Sequence, residues 1–223
     1  MTAPARLRVA GACSSPSRRA LVALSAVAAC AWAGCALTSR GEPLTVRYFD
    51  PEPPRPWRAA AAPQGAPTSC EIALGEISAS DDLRQEVVFR RSEYEVGYDE
   101  TRRWRERPEA YLRRALETAL FQAQGCAQVV SGAAPTIDAQ LLAFEEQRGT
   151  PHLARVVVRV VLSDGRNVLL DETREVTRVV QAGCDGQCFD GVARAVGIAL
   201  DEGVTDLARA VGAKLAGRAR AAR

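Results

Sequence analysis

An uncharged run, Ala20 to Trp32, sits between Arg18-Arg19 and Ala33-Gly34-Cys35, and it decides how much of this chain folds and where. A basic start, a short apolar stretch and small residues at the cut make a secretory signal. The run is shorter than the roughly 20 apolar residues that span a bilayer. Because it ends on a cysteine, it has the pattern of a signal cut before a thiol that then carries lipid. Cys35 is therefore expected to be the first residue of the mature chain. An ordinary secretory signal with an incidental cysteine is the plainer alternative. Val27-Ala28-Ala29-Cys30 matches the same pattern, but a cut there would leave an apolar run of only about nine residues. Trp32 departs from the leucine usual at that place.

Removing the signal leaves about 190 residues, enough to bury a core. The formal charge of +2 is spread along the chain with no polybasic block, which gives no footprint for nucleic acid. No apolar run of membrane-spanning length follows Cys35, so membrane attachment is expected through the lipid alone. Of the seven cysteines, Cys13 and Cys30 leave with the signal and Cys35 takes the lipid. Cys70, Cys126, Cys184 and Cys188 remain, and an oxidising compartment favours disulfides among them. Cys184 and Cys188 flank Asp185-Gly186-Gln187 and form the natural local pair, which leaves Cys70 for Cys126. A four-cysteine zinc site and unpaired buried thiols are the rival readings.

The expected organisation divides the chain at 34, 68 and 216. Residues 1–34 are the signal. Residues 35–68 carry the lipidated cysteine, a first strand at Leu44 to Phe49, and a Pro- and Ala-rich linker with Trp57 in it. Residues 69–216 are the folded domain, and 217–223 a basic tail. Within the domain, period-2 alternation predicts strands near Cys70 to Ile77, Glu86 to Arg91, Tyr94 to Tyr98, Cys126 to Val130, Thr136 to Gln147, Leu153 to Leu162 and Asn167 to Val180. Asp164-Gly165 marks a hairpin turn. Asp171 to Glu175 is too polar for burial on both sides, which predicts an edge or solvent-facing strand. Helical spacing predicts a helix from Pro108, closed by Gly125, and another from Phe189 to Leu215. Such an order predicts an α+β domain, a largely antiparallel β-sheet with two main helices packed on one face.

Chemistry is hard to place on this chain. The single histidine, His152, starts a strand with no serine or cysteine partner in a recognised spacing, and reads as a surface residue. Nucleophile elbows, phosphate loops and paired metal-ligand spacings are absent. Glu145 and Glu146 are adjacent on a strand and point to opposite faces. No catalytic residue, metal or cofactor is expected.

The order of motifs resembles the ABC-type transport auxiliary lipoproteins, the PqiC-like components of intermembrane lipid transport. The residues carrying the resemblance are Gly34-Cys35-Ala36-Leu37 with the strand Leu44 to Phe49, then Glu86-Val87-Val88-Phe89-Arg90-Arg91 and Tyr94-Glu95-Val96. Next come Arg103-Trp104-Arg105-Glu106-Arg107-Pro108 before the helix, Asp138 to Phe144, Val156 to Leu162 with Asp164-Gly165, and the closing Ala-rich helix. The resemblance implies a non-catalytic envelope lipoprotein working with an ABC permease and ATPase and an MCE-domain protein, on phospholipid or another hydrophobic cargo. It leaves a homo-oligomer open. Tyr94, Tyr98 and Trp104 become candidates for partner contact, with a core role for Trp104 the competing reading. Ala36 is not the aspartate of inner-membrane retention, which points to the periplasmic side of the outer membrane. An outer-membrane assembly lipoprotein, of the pilotin or lipopolysaccharide-assembly type, is the alternative function.

Overall fold

The structure, a computed structural model, describes residues 44–52, 70–130, 132–181 and 189–221. Cys30, Cys35, Trp57, Cys184 and Cys188 lie outside them, and with them the lipidation site and the short-loop cysteine pair.

The described residues form eight strands in one sheet, with two long helices on one of its faces. The strands are β1 (Arg47–Phe49), β2 (Glu71–Ala79), β3 (Glu86–Arg90), β4 (Val96–Trp104), β5 (Ala127–Gln128), β6 (Thr136–Gln147), β7 (Leu153–Ser163) and β8 (Val168–Val179). Helix α1 (Pro108–Glu117) continues as a π-helical turn, Thr118–Ala123, and α2 spans Asp190–Ala221. Pro108 opens α1. Gly125, at φ 70°, closes the π turn, and the Cys126 N–H bonds to the Leu120 carbonyl across it. A positive φ there is the reason for glycine.

The period-2 pattern fixes the main layer. In β7, Ala154, Val156, Val158, Val160 and Leu162 are all buried under the helices, while Arg155 and Arg159 face the opposite, open side. β6, β7 and β8 form a long antiparallel ladder, with Ile137 opposite Leu162 and Val158 opposite Arg174. The other half of the sheet is mixed. β2 and β3 both pair in parallel with β6, β5 with β2, and β1 with β4. The crossover through α1 brings the chain back to the same end of the sheet before β6, and alternation of side chains does not encode strand direction. β6 is longer than either neighbour on that side. Its first half pairs with β2 and its end with β3, and its ladder to β7 is irregular between Leu141 and Ala143.

Further boundaries differ from the sequence reading. β1 extends the same sheet beside β4, with Phe49 opposite Trp104. β4 runs on to Trp104, absorbing residues read as a lead-in to the helix. α2 continues past residue 216 to Ala221, and the Arg218 guanidinium bonds to Asp164 at 2.7 Å. β2 carries an irregularity between Leu74 and Ile77. There the Glu76 N–H donates to Asp138 Oδ1 at 2.7 Å, and a Cβ on Gly75 would lie 2.2 Å from that oxygen. A side chain at 75 would have to displace the Asp138 carboxylate and the Thr136 methyl.

Between sheet and helices lies an aromatic core. Trp104 packs edge-on to Phe144 with centroids 5.1 Å apart, and Phe189 bridges Trp104 and Phe49. Burying each such side chain is worth about 2–3 kcal/mol. A disulfide joins Cys70 to Cys126, pinning the start of β2 to the end of the helical segment across 56 residues. A loop of that size contributes about 4 kcal/mol in the chain-entropy account.

Candidate interaction surface

The tip between β3 and β4 is built by a short polar turn. The Glu95 N–H donates to Ser92 Oγ, the Arg91 N–H to the Glu95 carbonyl, and Arg91 pairs with Glu95 at 3.1 Å. On it Tyr94 is 90% exposed. Tyr98, opposite Val88 on the open face of the sheet, is 50% exposed, with Val96 beside it. A large aromatic held in water with no packing partner has area to give to another molecule. Trp104 is a correction: at 1% exposure it belongs wholly to the core and offers no contact surface. The structure thus brings Tyr94 and Tyr98 onto one hairpin and sends Trp104 inward.

Charge on the open face is organised in pairs that cross strands. Glu145 is 3% exposed and accepts from both Arg90 on β3 and Arg155 on β7. Arg155 also donates to Glu175 on β8, and that hydrogen bond holds the Glu175 carboxyl below its ordinary pKa. Arg159 does the same for Asp171. The chain of alternating charge Arg90, Glu145, Arg155, Glu175 spans four strands. Sequence reasoning separated Glu145 from Glu146 correctly, but could not see these partners, because they lie 10 to 55 positions away.

On the other side of β6, Glu146 accepts from Arg148 at 2.9 Å and lies 2.8 Å from His152 Nε2. His152 is therefore not an unattached surface residue. Arg148 continues to Asp99 at 3.0 Å and stacks over Phe89 at 3.7 Å. Burial pushes the Asp99 carboxyl up, but the Thr101 N–H, Arg148 and Arg102 together bring it below its usual value. Both Glu146 oxygens are occupied by partners, so the cluster clamps the β6–β7 end and leaves no lone base aimed at a substrate. Among the described residues, no group of three or more His, Cys, Asp or Glu side chains is placed to hold a metal.

A groove of about 1060 Å³ separates α1 from the first half of α2. Its floor includes Phe49, Ala115 and Leu200, and its wall is the segment Asp50–Glu52. Glu52 pairs with Arg114 at 3.2 Å, and Asp50 with Arg105 at 3.3 Å. A Cβ on Gly197 would lie 2.1 Å from the Pro51 carbonyl oxygen, so the segment rests directly on α2. Below it, burial pushes the Tyr111 hydroxyl up to about 12, and its oxygen accepts the Glu106 N–H.

The sequence profile of the ABC-type transport auxiliary lipoprotein component matches residues 55–211. The chain belongs to this family. Among solved structures it is similar to the Xanthomonas campestris protein XCC0632, at 18% identity and TM-score 0.59, covering 80% of this chain and 97% of that one. An uncharacterised protein matches at 13% identity and TM-score 0.57, over 75% of this chain and 99% of that one. Identities this low speak for the fold alone. No curated protein matches. No helix among the described residues is long and apolar enough to cross a membrane.

Proposed function

We propose that this auxiliary lipoprotein is non-catalytic and acts by protein contact in the cell envelope, as part of an ABC transport system with an MCE-domain protein that moves phospholipid or another hydrophobic compound. The family match over residues 55–211 carries the reading. The exposed Tyr94 and Tyr98 hairpin supports it, as does the pairing of the buried Glu145 and Glu146 carboxylates with arginine and histidine. Cys35 is its lipid attachment point, facing the periplasm from the outer membrane. Lipid plus a tether suits a component that must stay at a membrane while its domain reaches a partner. Cys184 and Cys188 are joined in the mature chain.

The test is co-purification of the full chain from detergent-solubilised envelopes. An MCE-domain protein and its permease should be captured, and Tyr94→Ala with Tyr98→Ala should weaken the capture while leaving the fold intact. Capture of a secretin or a β-barrel alone would overturn the transport assignment in favour of an assembly role. Labelling with palmitate should be lost in Cys35→Ser; label that persists there would place the lipid elsewhere.

A further inference from the structure

Among the described residues β8 pairs with β7 and with no other strand, which leaves its outer edge unpaired there. It is twelve residues long and contains neither proline nor glycine, so its outer backbone groups form a template about 40 Å long. Edge strands are usually guarded by charges, above all charges turned inward. Here the inward-facing charges are Glu172, Arg174 and Arg178, opposite Val160, Val158 and Ala154 of β7. A strand without matching charges would leave them facing an apolar or like-charged neighbour, and would be rejected.

The same strand, reversed, supplies the match. About Thr173, Leu170-Asp171-Glu172-Thr173-Arg174-Glu175-Val176 is self-complementary on its inward face: apolar mirrors apolar at 170 and 176, and acid mirrors base at 172 and 174. Paired antiparallel with a second copy, Glu172 faces Arg174, Arg174 faces Glu172, and Leu170 faces Val176. On the open face Thr173 meets itself. Asp171 would face Glu175, two carboxylates, but each already has an arginine of its own copy, at 2.6 Å in both cases. Glu172 and Arg174 also pair within one chain, so the two copies would close a four-membered ring of alternating charge. Shifting the register by two residues puts Arg174 opposite Arg174 or Glu172 opposite Glu172. Among registers within two residues, only this one sets Glu172 against Arg174; Arg178, which falls opposite Val168, keeps Glu202 of its own copy as its partner.

We infer that β8 is a self-recognition edge: two copies of this chain join antiparallel through Leu170–Val176, with the two-fold axis at Thr173, into one continuous sheet. The interface is isologous, and it leaves Tyr94 and Tyr98 on β3–β4 free for the transport partner. The dimer does not depend on the transport assignment, because it forms from this chain alone.

Register-specific cross-linking tests it on the full-length chain in detergent. Residues facing each other across an antiparallel pair have Cα atoms about 4.5–5.5 Å apart, within disulfide range. Thr173→Cys should therefore give a 173–173 linked peptide under mild oxidation. Asp171→Cys alone and Glu175→Cys alone should give no link at the new cysteine, while their mixture should link 171 to 175. Arg174→Glu places like charges opposite each other twice and should weaken dimerisation about tenfold or more, read by sedimentation equilibrium. Glu172→Arg with Arg174→Glu should restore it. A monomer throughout, links at 171–171 or 175–175, or a dimer indifferent to Arg174→Glu would each overturn the proposal.

Discussion

Replacing Gly197 by alanine separates the packing described here from simple helix propensity, because the two predict opposite signs. Glycine inside a helix costs up to about 1 kcal/mol against alanine, so an unobstructed replacement stabilises. At Gly197 the new Cβ would lie 2.1 Å from the Pro51 carbonyl oxygen, a backbone atom that cannot rotate away. Asp50–Glu52 must lift off α2, straining the Glu52–Arg114 and Asp50–Arg105 pairs that hold it. Overpacking of this kind costs about 1–3 kcal/mol, which outweighs the propensity gain. The expected result is a net loss of up to about 2 kcal/mol, lowering Tm by up to about 4–8 °C for a domain of this size. Gly203→Ala is the internal control. It sits on the same helix, and its Cβ would meet only Val176 Cγ2 at 3.4 Å, an ordinary contact. It should raise Tm by about 2–4 °C. Thermal and urea unfolding of the two variants side by side is the assay. If Gly197→Ala stabilises as much as Gly203→Ala, the segment after β1 does not rest on α2 and the groove described above loses its wall.

Glu145→Ala leaves Arg90 and Arg155 around an emptied, nearly buried position and should cost roughly 2–3 kcal/mol in urea unfolding, whereas Asp171→Ala, at an exposed pair, should cost much less. Equal costs would mean that the buried carboxylate has no special weight. Cys126→Ser should lower stability by about 4 kcal/mol, and non-reducing peptide mapping of the parent should recover the Cys70–Cys126 and Cys184–Cys188 links; free thiols at 70 and 126 would remove the clamp. Asp164, held to about 2 first by the Asn167 N–H and then by Arg218 and the Arg166 N–H, has its folded pKa depressed. Its contribution is therefore present above the unfolded carboxylate value and disappears as pH falls through about 2. Carboxyl NMR titration should find it near 2 and should find it raised in Arg218→Ala; an ordinary value in the parent would contradict the α2–hairpin contact.

Much of the fold was legible because burial imposes period. The five alternate apolar positions of β7 and the stripe of α2 state their buried faces outright, and Asp164-Gly165 states its turn, with Gly165 at φ 81°. The polar stretch Asp171 to Glu175 likewise announced an edge. What could not be read was anything set by distant pairing. Parallel and antiparallel neighbours demand the same alternation, so the split of β6 between β2 and β3 left no local trace. For Trp104 the sequence left both a core and an interface role open, and its place opposite Phe49, against Phe144, decides for the core. For His152 the partner is Glu146, six residues back across a turn, close in sequence yet without a motif. The tyrosines of the candidate surface were legible as candidates, and the hairpin geometry shows why they stand free.

The most direct test of the account is a photo-reactive amino acid at position 94 in intact cells. A single specific adduct with an MCE-domain protein or its permease is expected, and none when the same probe stands at Thr205, an exposed position on α2. An adduct only with a secretin or a β-barrel protein, or no adduct at position 94 in cells where the protein is made and anchored, would contradict it.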